Sequence, residues 1–281
     1  RAPGHKEYIS CSTTIQVLAT KDVIIRNKCY IPPSIPSVAR VGLELAVAGG
    51  LENLCYFGDG PHECYTDRKL GARVGRHETT VDETFVKYLY PSENGTRSGT
   101  RWVSLTNDEG KGILVSPASP EDTLFFSAHH FTSRDLHVAK HPHEVPRRDE
   151  ITLNLDLHHM PCGGNDSWSR SHSDKYLIHP GTHTWSVRIR PIQSEEERTR
   201  PGLLPDVLQH GTTYEPPPVR EAVIAGLHWE AFTFMSRTPI AAIEHLHLFS
   251  SLKVMGMPLP HVVAASTTLA VVGIMRLRRS A

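Results

Sequence analysis

The chain has 281 residues, and its 30 basic and 30 acidic side chains cancel. That length can bury one large β domain or two ordinary domains. The even charge gives no electrostatic reason to expect nucleic acid or an anionic membrane as partner, and it suits a neutral ligand.

In chain order, the region from Ile15 to about Ile189 reads as β-structure broken by turns. Val41, Leu43, Leu45 and Val47 share one face of a segment that ends at Gly49-Gly50. Turn signals follow at Asn27-Lys28, Asp59-Gly60-Pro61, Asn94-Gly95, Asp108-Glu109-Gly110 and Pro180-Gly181. One short helix is predicted over Ser133–Lys140, with Thr132 or Ser133 as its cap, Asp135 near its positive end, and a stop before Pro142. Ile151, Leu153, Leu155 and Leu157 then alternate with Thr152, Asn154, Asp156 and His158, the pattern of an antiparallel strand with one face in a core. Trp185, Val187 and Ile189 repeat it. The expected fold is all-β, a large antiparallel β-sandwich over residues 1–191.

After Pro191 the character changes. Residues 192–218 carry the charge run Ser194-Glu195-Glu196-Glu197-Arg198-Thr199-Arg200 and the prolines Pro201, Pro205 and Pro216-Pro217-Pro218, so they read as a linker. Residues 219–281 form a tail, with a helix expected over Val219–Phe234 because Val223, Leu227 and Ala231 lie on one stripe. Val254–Met275 contains no Asp, Glu, Lys or Arg and precedes Arg276-Leu277-Arg278-Arg279. Pro258 and Pro260 interrupt it, and Val262–Met275 is shorter than the roughly 20 residues a spanning helix needs. A docked helix or an irregular extension is expected there rather than a membrane anchor.

Five cysteines (Cys11, Cys29, Cys55, Cys64 and Cys162) are scattered, with neither a C-x-x-C pair nor the spacing of a disulfide scaffold, which fits a reducing, cytoplasmic setting. Eighteen histidines include His129-His130, His141-Pro142-His143 and His158-His159, but neighbours on a strand point to opposite faces, and no H-E-x-x-H pattern is present. No metal site is expected. The sequence opens at Arg1 without a methionine or an apolar leader, so it reads as a piece of something longer.

Gly163-Gly164-Asn165-Asp166-Ser167-Trp168 is a glycine-softened polar loop ending in an indole. Such a ring can cover the C–H face of a pyranose, and the same hexapeptide also fits an ordinary turn with a core tryptophan. Further motifs surround it. They are Ala39-Arg40-Val41-Gly42-Leu43; Tyr56-Phe57-Gly58-Asp59-Gly60-Pro61-His62-Glu63-Cys64-Tyr65-Thr66-Asp67-Arg68; Tyr90-Pro91-Ser92-Glu93-Asn94-Gly95-Thr96-Arg97 with Arg101-Trp102; and Phe126-Ser127-Ala128-His129-His130-Phe131 leading to Asp135-Leu136. In this order, over roughly Thr14 to Pro191, they resemble the C-terminal domain, or small chain, of the glycoside hydrolase family 2 β-galactosidases. Three departures stand out: Cys64 and Thr66 flank Tyr65 where the family commonly has Asn and Pro, Lys87 stands where a proline often precedes the tyrosine, and Pro161 replaces a glycine.

The resemblance implies a galactose mutarotase-like supersandwich that lacks some of its first strands, and therefore an open sheet edge near the start. It implies a β-galactoside as ligand, held by Trp168 with Asp166 and Asn165. It also implies a barrel-bearing large chain, or a preceding part of the same enzyme, as the partner that carries both catalytic glutamates and binds magnesium and sodium. No catalytic or metal residue is carried over to this chain, and no cofactor is expected in it. Glu63, Asp67, Arg68, Glu93, Arg97 and Arg101 form a balanced set suited to ordering the sandwich rim, because planar guanidinium groups can clamp carboxylates or loop carbonyls. Two alternatives stay open: a non-catalytic galactoside-binding sandwich or degenerate remnant, and an aldose mutarotase-like enzyme using its histidines and glutamates as acid and base.

Overall fold

A computed structural model describes residues 8–162, 173–194 and 267–274. The strands of the larger sheet are β1 (Ser10–Val17), β2 (Val23–Ile31), β4 (Asn53–Gly60), β5 (Arg73–Thr80), β7 (Trp102–Thr106), β8 (Gly112–Pro117), β11 (Gly181–Ile192) and β12 (Thr267–Ile274). The smaller sheet holds β3 (Arg40–Val47), β6 (Arg97–Thr100), β9 (Leu124–His129) and β10 (Ile151–His159). The first runs β12-β1-β2-β11-β8-β7-β4-β5 and the second β3-β10-β9-β6, with every pairing antiparallel.

The sandwich follows from strand alternation. Val41 and Val47 of β3 are buried, with Leu43 and Leu45 packed beside them, and Ile151, Leu153 and Leu155 of β10 meet them in one core. Trp185, Val187 and Ile189 of β11 enter the same core from the larger sheet, together with Leu54, Val103 and Val115. Two sheets that each carry one apolar face can hide both only by stacking.

The helix is α1 (Ser133–Val138). The Thr132 side chain accepts from the Asp135 amide, and the Asp135 carboxylate accepts from the Thr132 amide, forming a closed capping box. Arg148 donates to both Asp135 oxygens at 2.7 and 2.8 Å, and this pairing holds that carboxyl well below the usual range.

Five expectations need correction. Asn27-Lys28 is no turn: it lies inside β2, where Asn27 is buried and accepts from Thr13 Oγ1 at 2.9 Å, so a side-chain partner stabilises Asn in the strand. The second face of β10 is not solvent, because Thr152, Asn154 and Asp156 are all buried. Asn154 donates to Ser127 Oγ at 3.1 Å, and polar partners take the place of water. Cys11 and Cys29 are directly opposed in the β1–β2 register and form a disulfide, which linear spacing could not reveal.

The remaining two corrections concern the tail and the sheet edge. Part of the tail is strand β12, rich in Thr and Val, where a docked helix or an irregular extension was expected. It pairs with β1 along its whole length, from Ser10↔Ile274 to Val17↔Thr267, so β1 is not the open edge that the resemblance implied. The expected linker over 192–218 lies outside the described residues from 195 onward, with Ile192 still in β11, and the expected helix over Val219–Phe234 lies wholly outside them. Among the described residues no helix is long and apolar enough to cross a membrane.

Candidate functional site

At the end of β4 the chain turns through a cis Gly60–Pro61 peptide into the segment carrying Glu63, Asp67 and Arg68. The buried Glu63 carboxylate receives three donors: the Arg68 guanidinium, the Tyr88 hydroxyl and, at 2.9 Å, the backbone amide of Gly95. Gly95 has φ +75°, and a Cβ there would come within 2.4 Å of the His129 ring. Only glycine satisfies both the backbone and the space. Arg97 then clamps the two turns together, donating to the carbonyls of Gly95 at 2.5 Å and Pro61 at 3.2 Å.

A second network lies alongside. Arg40 donates to Asp156 Oδ2 from Nε at 3.0 Å and from Nη2 at 2.5 Å, and reaches Glu93 at 3.4 Å. Glu93 also accepts from Thr96 Oγ1 at 3.2 Å and faces His159 Nε2 at 3.6 Å. Burial alone would raise the Glu93 pKa, but His159 and Arg40 outweigh it and hold the carboxyl below its ordinary value. The Tyr65 ring joins the networks, lying edge-on to His159 at 5.2 Å and beneath Arg68 at 5.4 Å.

Both networks reach residues 159–162, the described residues just before Gly163. The Met160 amide donates to the Ala39 carbonyl at 2.9 Å, and His159 Nδ1 lies 2.8 Å from the Met160 carbonyl, which makes Nδ1 the donor. Asp67 Oδ1 accepts from the Cys162 amide at 3.2 Å. Thus Glu93 and Asp67 meet residues 159–162 directly, and Arg68, Glu63 and Arg97 join them through the Tyr65 ring and the 61–68 segment. Arg101 stands apart, donating to the Gly99 carbonyl at 2.9 Å and lying over the Phe57 ring at 5.4 Å. Asn165, Asp166 and Trp168 lie outside the described residues.

Asp156, His159 and Tyr88 were missed as members of the site, and Arg40 was seen only as part of a motif. One signal was available. Asp156 stands on a strand face of Thr and Asn, and an acid on such a face needs a cation once the face is covered. Among the described residues no group of three or more His, Cys, Asp or Glu side chains is placed to hold a metal.

Motifs far apart in sequence therefore meet beside residues 159–162, and comparison with known proteins shows whose motifs they are. The family model described as the β-galactosidase small chain matches residues 3–189. The chain belongs to that family. It is 35% identical to the β-galactosidase of Vibrio cholerae over 175 residues, covering 62% of this chain and 16% of that protein. It is 35% identical to the β-galactosidase of Photobacterium profundum over 159 residues, 56% and 14% of the two chains. With the β-galactosidase of Priestia megaterium it shares 28% identity over 184 residues, 65% and 18% of the two chains. The small-chain match thus spans less than a fifth of the length of each of these relatives.

Proposed function

We propose that this small-chain domain forms one wall of a β-galactosidase active site, with Trp168 as the surface on which a β-galactoside is seated and Asn165 and Asp166 as polar contacts beside it. In this reading the catalytic carboxylates, and any magnesium or sodium, belong to a barrel-bearing part of the enzyme outside the small-chain domain. The observation that supports it is the convergence of Asp67, His159 and the Ala39 carbonyl on the stem of the 163–168 loop. So many anchors on one stem suit a loop whose tip must be held in place for a ligand. The rim carboxylates support it too. Glu63 and Glu93 are each engaged by cations or backbone and hydroxyl donors, a structural use of their charge.

The test is Trp168→Ala in an enzyme completed by a barrel-bearing partner. Losing one stacking face should remove about 1–3 kcal/mol of binding, raising KM by roughly tenfold or more with a smaller change in kcat. An unchanged KM would sink the assignment. Should the chain bind galactosides yet yield no activity with any large chain, the non-catalytic sandwich is the better reading.

A further inference from the structure

Two loops tied together by the Glu63 network carry apolar side chains that no described residue covers. Ala72 donates to the Lys69 carbonyl at 3.0 Å, closing a four-residue turn with Leu70 at its tip, fully exposed. Tips of such turns normally carry Gly, Asn, Asp or Ser, so a bare leucine there has no role in the turn itself. The neighbouring loop presents Leu89, 89% exposed, and Tyr90, 66% exposed, directly after Tyr88. Tyr88 and Arg68 both bind Glu63, and this bridge brings the two loops side by side. Val74, at the start of β5, is also exposed beyond the turn.

The surroundings are cationic. Arg68, Lys69, Arg73 and Lys87 are exposed, while the nearby carboxylates of Glu63 and Asp59 are only 8% and 15% exposed and are engaged by Arg68 and Lys69, and Asp67 is half-buried and turned to the Cys162 amide. An apolar centre inside a rim whose exposed charges are mainly basic is the anatomy of a protein interface and selects a partner of opposite charge. A second copy of this chain fits poorly, since a two-fold contact would set the same basic rim against itself.

We propose that Leu70, Leu89 and Tyr90 dock onto an apolar, acid-rimmed surface of the polypeptide that completes the enzyme, the portion that makes up most of the length of the relatives. This rests on the reading of the domain as a β-galactosidase component. Docking here would seat the two loops whose bases hold Glu63, and through them the stem of the sugar loop.

The experiment measures binding of the full 281-residue chain to the Vibrio cholerae β-galactosidase from which the matched region has been removed. The wild type should bind, and Leu70→Ser/Leu89→Ser/Tyr90→Ser should weaken binding by about tenfold or more. Arg73→Glu/Lys87→Glu should weaken it as well and reduce its sensitivity to salt. All five positions are exposed, so melting temperatures should not move. Wild-type binding that the triple serine variant retains in full overturns the docking proposal and leaves the component reading standing. Failure of the wild type itself to bind overturns both. Self-association abolished by the same variants would make a second copy the occupant and overturn the proposal.

Discussion

The carboxylate of Asp156 occupies the space that a side chain at residue 42 would fill. Gly42 is the register partner of Asp156, and a Cβ on it would sit 2.0 Å from Oδ1 and 2.6 Å from the Asp156 Cα. The neighbouring Arg40 supplies the counter-charge, so one short stretch provides both room and partner for a buried acid. Gly42→Ala should therefore push the two strands apart, destabilising the fold by about 3 kcal/mol. Urea unfolding of the variant beside the wild type measures this. An unchanged midpoint would mean that β3 yields without strain.

How much of this was legible in the sequence follows from the same stretch. Alternation along Val41–Val47 and Ile151–Leu157 placed the core faces correctly, because apolar residues at period two have one way to be buried in a sheet. The polar face of β10 was misjudged because alternation says which residues face away from the core, not what later covers them. The Cys11–Cys29 bridge and the β1–β12 pairing were illegible for a related reason. Each depends on register between segments, and strand register is set by tertiary contacts. Of the residues that motif order named, Glu63, Asp67, Arg68, Glu93 and Arg97 belong to linked polar networks and Arg101 lies over the Phe57 ring, while Asn165, Asp166 and Trp168 lie outside the described residues.

Asp22 should be the most sensitive single carboxylate outside the rim. It is wholly buried and accepts from Arg188 at 2.6 Å, from Arg190 at 2.5 and 2.7 Å, and from Thr20 at 2.8 Å. Burial would raise its pKa, but the two arginines and the threonine outweigh that and lower it. A depressed folded pKa gives stability that is complete above the unfolded value and is lost as pH falls through the folded one. Asp22→Asn should leave two guanidinium groups without their charge partner and destabilise by about 3–5 kcal/mol at neutral pH. Its difference from wild type should narrow below about pH 4. A difference constant from pH 7 to pH 3 would show that Asp22 does not titrate with folding.

His129 should produce a separate slope at higher pH. Its ring is buried, stacks on Phe131 at 4.6 Å, and has Nε2 3.1 Å from the Asn94 carbonyl. Burial holds its pKa down to about 4. The unfolded chain therefore binds a proton there from about pH 6.5 downward while the folded chain does not, so stability falls with pH across that window. Stability is unaffected above pH 6.5, declines by about 1.4 kcal/mol per unit at its steepest, and has lost on the order of 3 kcal/mol by pH 4. His129→Gln should be less stable at pH 7.5 and should lack this slope. Denaturant titrations at pH 7.5, 6 and 5 on both proteins check it, and parallel curves would assign the slope to other histidines.

Asp67 offers the most direct check on what the rim does. Its bond to the Cys162 amide ties the 61–68 segment to the loop stem across 95 positions of sequence, yet both residues lie near the surface. Removing the acceptor should change global stability little, by about 1 kcal/mol, because water can replace it at the Cys162 amide. Its effect should instead appear in the completed enzyme. There Asp67→Ala should raise KM for a β-galactoside about threefold to tenfold and leave kcat within about twofold, the pattern of lost positioning rather than lost chemistry. Asp67→Asn keeps an oxygen acceptor of the same shape and should recover most of that loss. If both variants keep the wild-type KM, the stem holds its course without Asp67, and the rim serves only to fasten the sandwich.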